Sequence, residues 1–94
     1  MSDTTVVRVE IRGRVQGVWY RAWTVQEATQ RGLRGWVRNR RDGAVEALFI
    51  GPKDKVDDMI EACRAGPPAA RVDSIYRFAA KDDGEPGFTQ RPTD

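Results

Sequence analysis

Apolar and charged residues alternate from the start of the chain. Val7, Val9 and Ile11 are interleaved with Arg8, Glu10 and Arg12, the period-two pattern of a strand with one buried face. It predicts a first strand over about 5–12, after a polar, frayed start at 1–4. The period then changes. From Arg21 to Arg31, Ala22, Val25, Ala28 and Thr29 recur at helical spacing, with Trp23 on the flank and Gly32 as the stop. Leu33 to Asn39 reads as a second strand, with Trp36 and Val37 its apolar members. Asp42-Gly43 marks a hairpin, because both residue types tolerate the positive φ of tight turns. A third strand over about Ala44–Ile50 sets Val45, Ala47 and Phe49 on one side and Glu46, Leu48 and Ile50 on the other. Leu48 and Ile50 are thereby expected as an apolar strip on the open face, a pattern more often surface scatter than contact site.

Gly51-Pro52 suits a helix entry with proline at N1. Val56, Met59, Ile60 and Cys63 then fall at i, i+3, i+4 and i+7, opposite Asp57, Asp58 and Glu61, which predicts an amphipathic helix. Cys63 reads as a buried thiol of that stripe rather than a nucleophile. Gly66-Pro67-Pro68 ends the helix. Val72, Ile75, Tyr76 and Phe78 suggest a fourth strand, Asp82-Asp83-Gly84 a turn, and Phe88 to Arg91 a short last strand closed by Pro92. The order β-α-β-β-α-β predicts an α+β, ferredoxin-like α/β sandwich. Its sheet would be mostly antiparallel, of four to five strands, with both helices on one face. The whole of 1–94 is expected to form one domain.

Composition narrows the chemistry. Hydrophobic residues make up 39% and charged residues 32% of the 94, the balance of a folded globular chain. No stretch reads as a signal peptide or membrane span, so a cytoplasmic location is the default expectation. One cysteine cannot form an internal disulfide. With no histidine at all, a Ser-His or Cys-His nucleophile is impossible, and no carboxylate cluster suggests a zinc site. Net charge is only +2, which leaves nucleic-acid binding open without favouring it.

Two stretches carry chemistry. Gly13-Arg14-Val15-Gln16-Gly17-Val18-Trp19-Tyr20-Arg21 runs from the first strand into the first helix. Such a turn points backbone N–H groups into one concavity at the positive end of a helix, where an anion is stabilised. Arg21 adds a fork of donors suited to phosphate or carboxylate. A glycine turn alone has a purely steric reading as well. The second stretch is Gly35-Trp36-Val37-Arg38-Asn39, leading to the Asp42-Gly43 hairpin. Taken singly, Asn39 reads as a turn support, and Arg38, Arg40 and Arg41 as a solvated edge.

Together the two stretches resemble the two signatures of the acylphosphatases. The first matches G-x-V-Q-G-V-x-[FM]-R except that Tyr20 stands where Phe or Met is usual. The second continues through Gly43, Val45 and Gly51 at the family's spacing. Gly51-Pro52-Lys53-Asp54-Lys55-Val56 and Gly87-Phe88 also agree, so the resemblance covers nearly the whole chain. The end, Arg91-Pro92-Thr93-Asp94, departs from members that stop at an aromatic residue.

The resemblance implies hydrolysis of an acyl phosphate to a carboxylate and inorganic phosphate, without metal, cofactor or covalent intermediate. The N–H groups of Val15, Gln16, Gly17, Val18, Trp19 and Tyr20, with Arg21, would hold the phosphoryl group. Asn39 would position the attacking water, whose proton would pass to a phosphate oxygen. Phosphate and other oxyanions would inhibit. The expected partner is a small acyl phosphate, with neither nucleic acid nor membrane, and the expected state a monomer. Two rivals remain at this stage: an RNA-binding sheet, for which strand one offers Arg8, Glu10 and Arg12 instead of aromatics, and a module that has lost catalysis or serves a larger carbamoyl-phosphate-processing enzyme.

Overall fold

The structure, a computed structural model, describes residues 4–94. In chain order its elements are β1 (Thr4–Arg14), α1 (Tyr20–Gln30), β2 (Arg34–Asn39), β3 (Val45–Pro52), α2 (Lys53–Ala65), β4 (Arg71–Ala79) and β5 (Phe88–Gln90). The strands form one sheet in the order β4-β1-β3-β2-β5. Residues 1–3 of the frayed start lie outside the described residues; Thr4 already opens β1, opposite Pro52. β1 pairs antiparallel with β3 and β4, and β3 with β2. The short β5 lies parallel to β2, so the sheet is mixed, not wholly antiparallel.

The alternation along β1 sorts its residues as predicted. Val7, Val9 and Ile11 join Val37, Val45, Ala47 and Phe49 under the helices, where α2 contributes Val56, Met59, Ile60 and Cys63. Phe88 stacks on Phe49 at 5.7 Å, closing the core beside β5. In α1 the buried stripe is Tyr20, Thr24 and Ala28, and Thr29 is exposed. The stripe is turned relative to the one predicted because the helix begins at Tyr20, whose ring is drawn into the core. Thr24 can be buried because its Oγ1 donates to the Tyr20 carbonyl at 2.8 Å. Trp23 packs edge-to-face on Tyr20 at 5.4 Å. Pro52 is the N-cap of α2 and the last residue of β3, one position before the expected N1.

The open face departs most from expectation. Leu48 and Ile50 are not a surface strip: they are 4% and 1% exposed, clustered with Trp36 and flanked by Val6 and Ala80. The reason is topological. β4 and β5 occupy opposite edges of the sheet, so the segment 80–87 must cross it, and Ala80 packs on the open-face cluster. Arg34 ties that crossing down, donating to Asp82 and to the Glu85 carbonyl at 3.0 Å. Trp36 is held between the guanidinium groups of Arg38 and Arg91, each 4.8 Å from its ring. Beside it Glu46, nearly buried, accepts from Arg8 at 2.9 Å and Arg38 at 2.7 Å. Arg38 and Arg40 are therefore not merely a solvated edge, since both lie within ion-pair distance of Glu46.

Candidate active site

The β1–α1 turn is pinned by side chains on either side of it. Val15 is buried, Val18 packs partly on the core, and Tyr20 is 1% exposed. The Tyr20 hydroxyl donates to the Cys63 carbonyl at 2.5 Å, which fixes the start of α1 to α2. The extra oxygen of tyrosine thus points away from the turn's concavity. Burial raises the pKa of that hydroxyl and pushes the Cys63 thiol up to about 12, so Cys63 is an inert core group. Gly17 supplies a φ of +73° for the turn. The side chain of Gln16 points to the β2–β3 hairpin, its Nε2 donating to the carbonyls of Arg40 at 2.8 Å and Ala44 at 2.9 Å.

That geometry frees backbone donors. Among the described residues, no N–H from Gln16 to Trp19 donates to a backbone carbonyl. Tyr20, Arg21 and Ala22 form the first helical turn, whose N–H groups have no acceptor within the helix. The first bond of the helix is from the Trp23 N–H to the Trp19 carbonyl. No side chain caps α1, and its first turn carries no acid. The positive end of the helix dipole is therefore uncompensated there.

A pocket of about 280 Å³ opens at this end of α1. Val15, Gly17, Trp19, Tyr20, Arg21 and Ala22, from the turn and the start of α1, line it together with Asn39 of β2 and Gln90 of β5. The structure thus brings together Arg21 and Asn39, the two side chains singled out in the sequence. It places the side chains of Gln16 and Val18 elsewhere, leaving only their backbone groups to serve the turn. Arg21 is half-buried and has no carboxylate or hydrogen-bond partner among the described residues. Arg38 and Arg40 do have such partners. A partly desolvated, unpaired guanidinium facing a pocket gains most from an anion.

Asn39 ends β2, opposite Val45 of β3. Its carbonyl accepts the Asp94 N–H at 3.0 Å, so its backbone is held from both sides. Its side-chain Oδ1 is buried without a hydrogen-bond partner among the described residues. Buried polar atoms are almost always bonded, and an orphan acceptor beside a cation-lined pocket suits a polarised donor such as water. Gln90 was not legible as a site residue. It reaches the pocket only because β5 adds beside β2, fifty positions away in sequence, and no local pattern signals that pairing. Among the described residues, no three His, Cys, Asp or Glu side chains are grouped so as to hold a metal ion, and no helix is long and apolar enough to cross a membrane.

Comparison with known proteins identifies the family. The family model described as Acylphosphatase matches residues 7–90. The chain is 54% identical over 91 residues to an acylphosphatase of Rhizorhabdus wittichii, covering 97% of this chain and 92% of that one. Among solved structures it superposes on an acylphosphatase from Coxiella burnetii with a TM-score of 0.90 at 30% identity, covering 95% and 94% of the two chains. It also superposes on the acylphosphatase from Bacillus subtilis with a TM-score of 0.87 at 37% identity, covering 92% and 97%. The chain belongs to the acylphosphatase family, enzymes that hydrolyse acyl phosphates.

Proposed function

We propose that the chain works without metal: the N–H groups of the 15–20 turn and the Arg21 guanidinium hold the phosphoryl group, and Asn39 orients the attacking water. The observation that carries this reading is that an unpaired, half-buried Arg21 lines one pocket with Asn39, whose buried Oδ1 has no hydrogen-bond partner among the described residues. In the reaction the water oxygen attacks phosphorus. The bond from phosphorus to the acyl oxygen breaks, and its electron pair leaves with the carboxylate. The water's proton passes to a phosphate oxygen. A carboxylate leaving group has a conjugate acid of pKa roughly 4–5, so no general acid is needed. This suits a chain with no histidine. Positioning and charge stabilisation then supply the catalysis. The same reading makes inorganic phosphate and other oxyanions competitive inhibitors; alongside it we propose a cytoplasmic, monomeric single domain.

The test is phosphate release from benzoyl phosphate with a chelator present. Arg21→Ala is expected to lower kcat/KM by at least ~100-fold, the scale for removing one transition-state donor, and to weaken inhibition by phosphate. Asn39→Ala is expected to lower kcat while phosphate inhibition stays nearly unchanged. Equal loss of phosphate affinity in both variants would overturn the division of roles. Sensitivity to chelator would overturn the metal-free mechanism.

A further inference from the structure

Phosphoryl binding leaves the Trp19 side chain unexplained. Trp19 is the N-cap of α1, at φ 68° and ψ 19°, and the only non-glycine residue of positive φ among the described residues. The left-handed region is unfavourable for a residue with a Cβ and suits glycine or asparagine. N-cap positions favour short side chains with an oxygen acceptor, and indole has none. Trp19 is also 58% exposed. Among the described residues no ring, cation or hydrogen bond engages its indole, whereas Trp36 lies between two arginines and Trp23 against Tyr20. The fold therefore gains little from tryptophan here: the backbone is strained, the helix is uncapped and the ring is wet. Strain of this kind persists where function holds it.

Trp19 nevertheless lines the pocket, together with Arg21, the small Ala22 and the amide-bearing Gln90. Gln90 is exposed and its side chain makes no hydrogen bond among the described residues. Arg21 is the one charged residue of the lining. Once Arg21 and the turn take the phosphoryl end, the acyl end must lie toward the remaining neutral wall. Resting on the proposed hydrolytic reading, we infer that Trp19 is the wall of an acyl subsite and selects planar, aromatic acyl groups by stacking, with Gln90 as its polar edge. Small aliphatic acyl phosphates would fill the same space without that contact.

The test measures kcat/KM for benzoyl phosphate and acetyl phosphate on the same preparations of wild type, Trp19→Phe and Trp19→Asn, with melting temperature recorded for each. Asparagine tolerates positive φ and can cap α1, so the Trp19→Asn melting temperature should not fall. Its benzoyl-to-acetyl ratio of kcat/KM should drop about 3- to 10-fold, the discrimination expected of one aromatic contact. Trp19→Phe should keep most of the wild-type ratio. A purely structural role for Trp19 would not move the ratio, and an unchanged ratio in Trp19→Asn would overturn the subsite alone. No turnover of either substrate by the wild type would overturn the hydrolytic reading and the subsite with it.

Discussion

Gln16 shows how much one side chain can do without touching the pocket. Its Nε2 bridges two carbonyls of the β2–β3 hairpin and so ties the turn bearing Arg21 to the segment bearing Asn39. Both carbonyls have other backbone donors, from Gly43 and Arg40, so losing the amide leaves neither orphaned. Gln16→Ala is therefore expected to cost only about 1–2 kcal/mol, read as a Tm lower by several degrees. Gln16→Glu should cost more, although it is nearly isosteric, because it sets a carboxylate against two carbonyl oxygens. Thermal melts of both variants check the order: if the glutamate variant were the more stable, the amide bridge would not be holding the turn. The sequence showed Gln16 as part of a signature but not what its side chain does, since its acceptors lie more than twenty positions away.

At the level of elements, the strands meet where side chains are absent. Gly35 of β2 has a φ of +136°, and a Cβ there would lie 1.8 Å from the Leu48 carbonyl oxygen on β3, with the Phe88 ring also close. Gly35→Ala should therefore force β2 away from β3 or abolish the register that places Asn39 opposite Val45. The expected loss is at least ~3 kcal/mol, measured by urea denaturation, because backbone clash and unfavourable φ act together. A variant as stable as the wild type would show that the sheet can shift at little cost. The element order, the two helices and the hairpin were legible because each rests on a local period or turn signal. The phase of α1 was not, because a tyrosine set in the core at its first turn rotated the buried stripe.

For the whole molecule, burial of two weak acids, one on α1 and one on α2, ties stability to alkaline pH. The Cys63 thiol rises from an ordinary 9.0 to about 12, chiefly through burial, and burial raises the Tyr20 hydroxyl as well. Below about pH 9 both folded and unfolded chains keep the thiol proton, so this contribution is fully present. Between about 9 and 12 the unfolded chain loses its proton first, and stability falls as pH rises. Urea unfolding at a series of alkaline pH values should show this decline, with a shallower slope in Cys63→Ala. An equal slope in that variant would remove Cys63 as a cause.

The sequence by itself determined the strand and helix periods, the histidine-free chemistry and the two signatures that carry Arg21 and Asn39, because each depends on residues near one another along the chain. Only the tertiary structure decided what happens across it. β4 and β5 ended at opposite edges, so the 80–87 crossing buried Leu48 and Ile50, and β5 brought Gln90 to the pocket. Among the described residues, the same packing left Arg21 without a counter-ion and the Asn39 Oδ1 without a donor. Such states depend on which distant groups fail to arrive, and no local spacing records that.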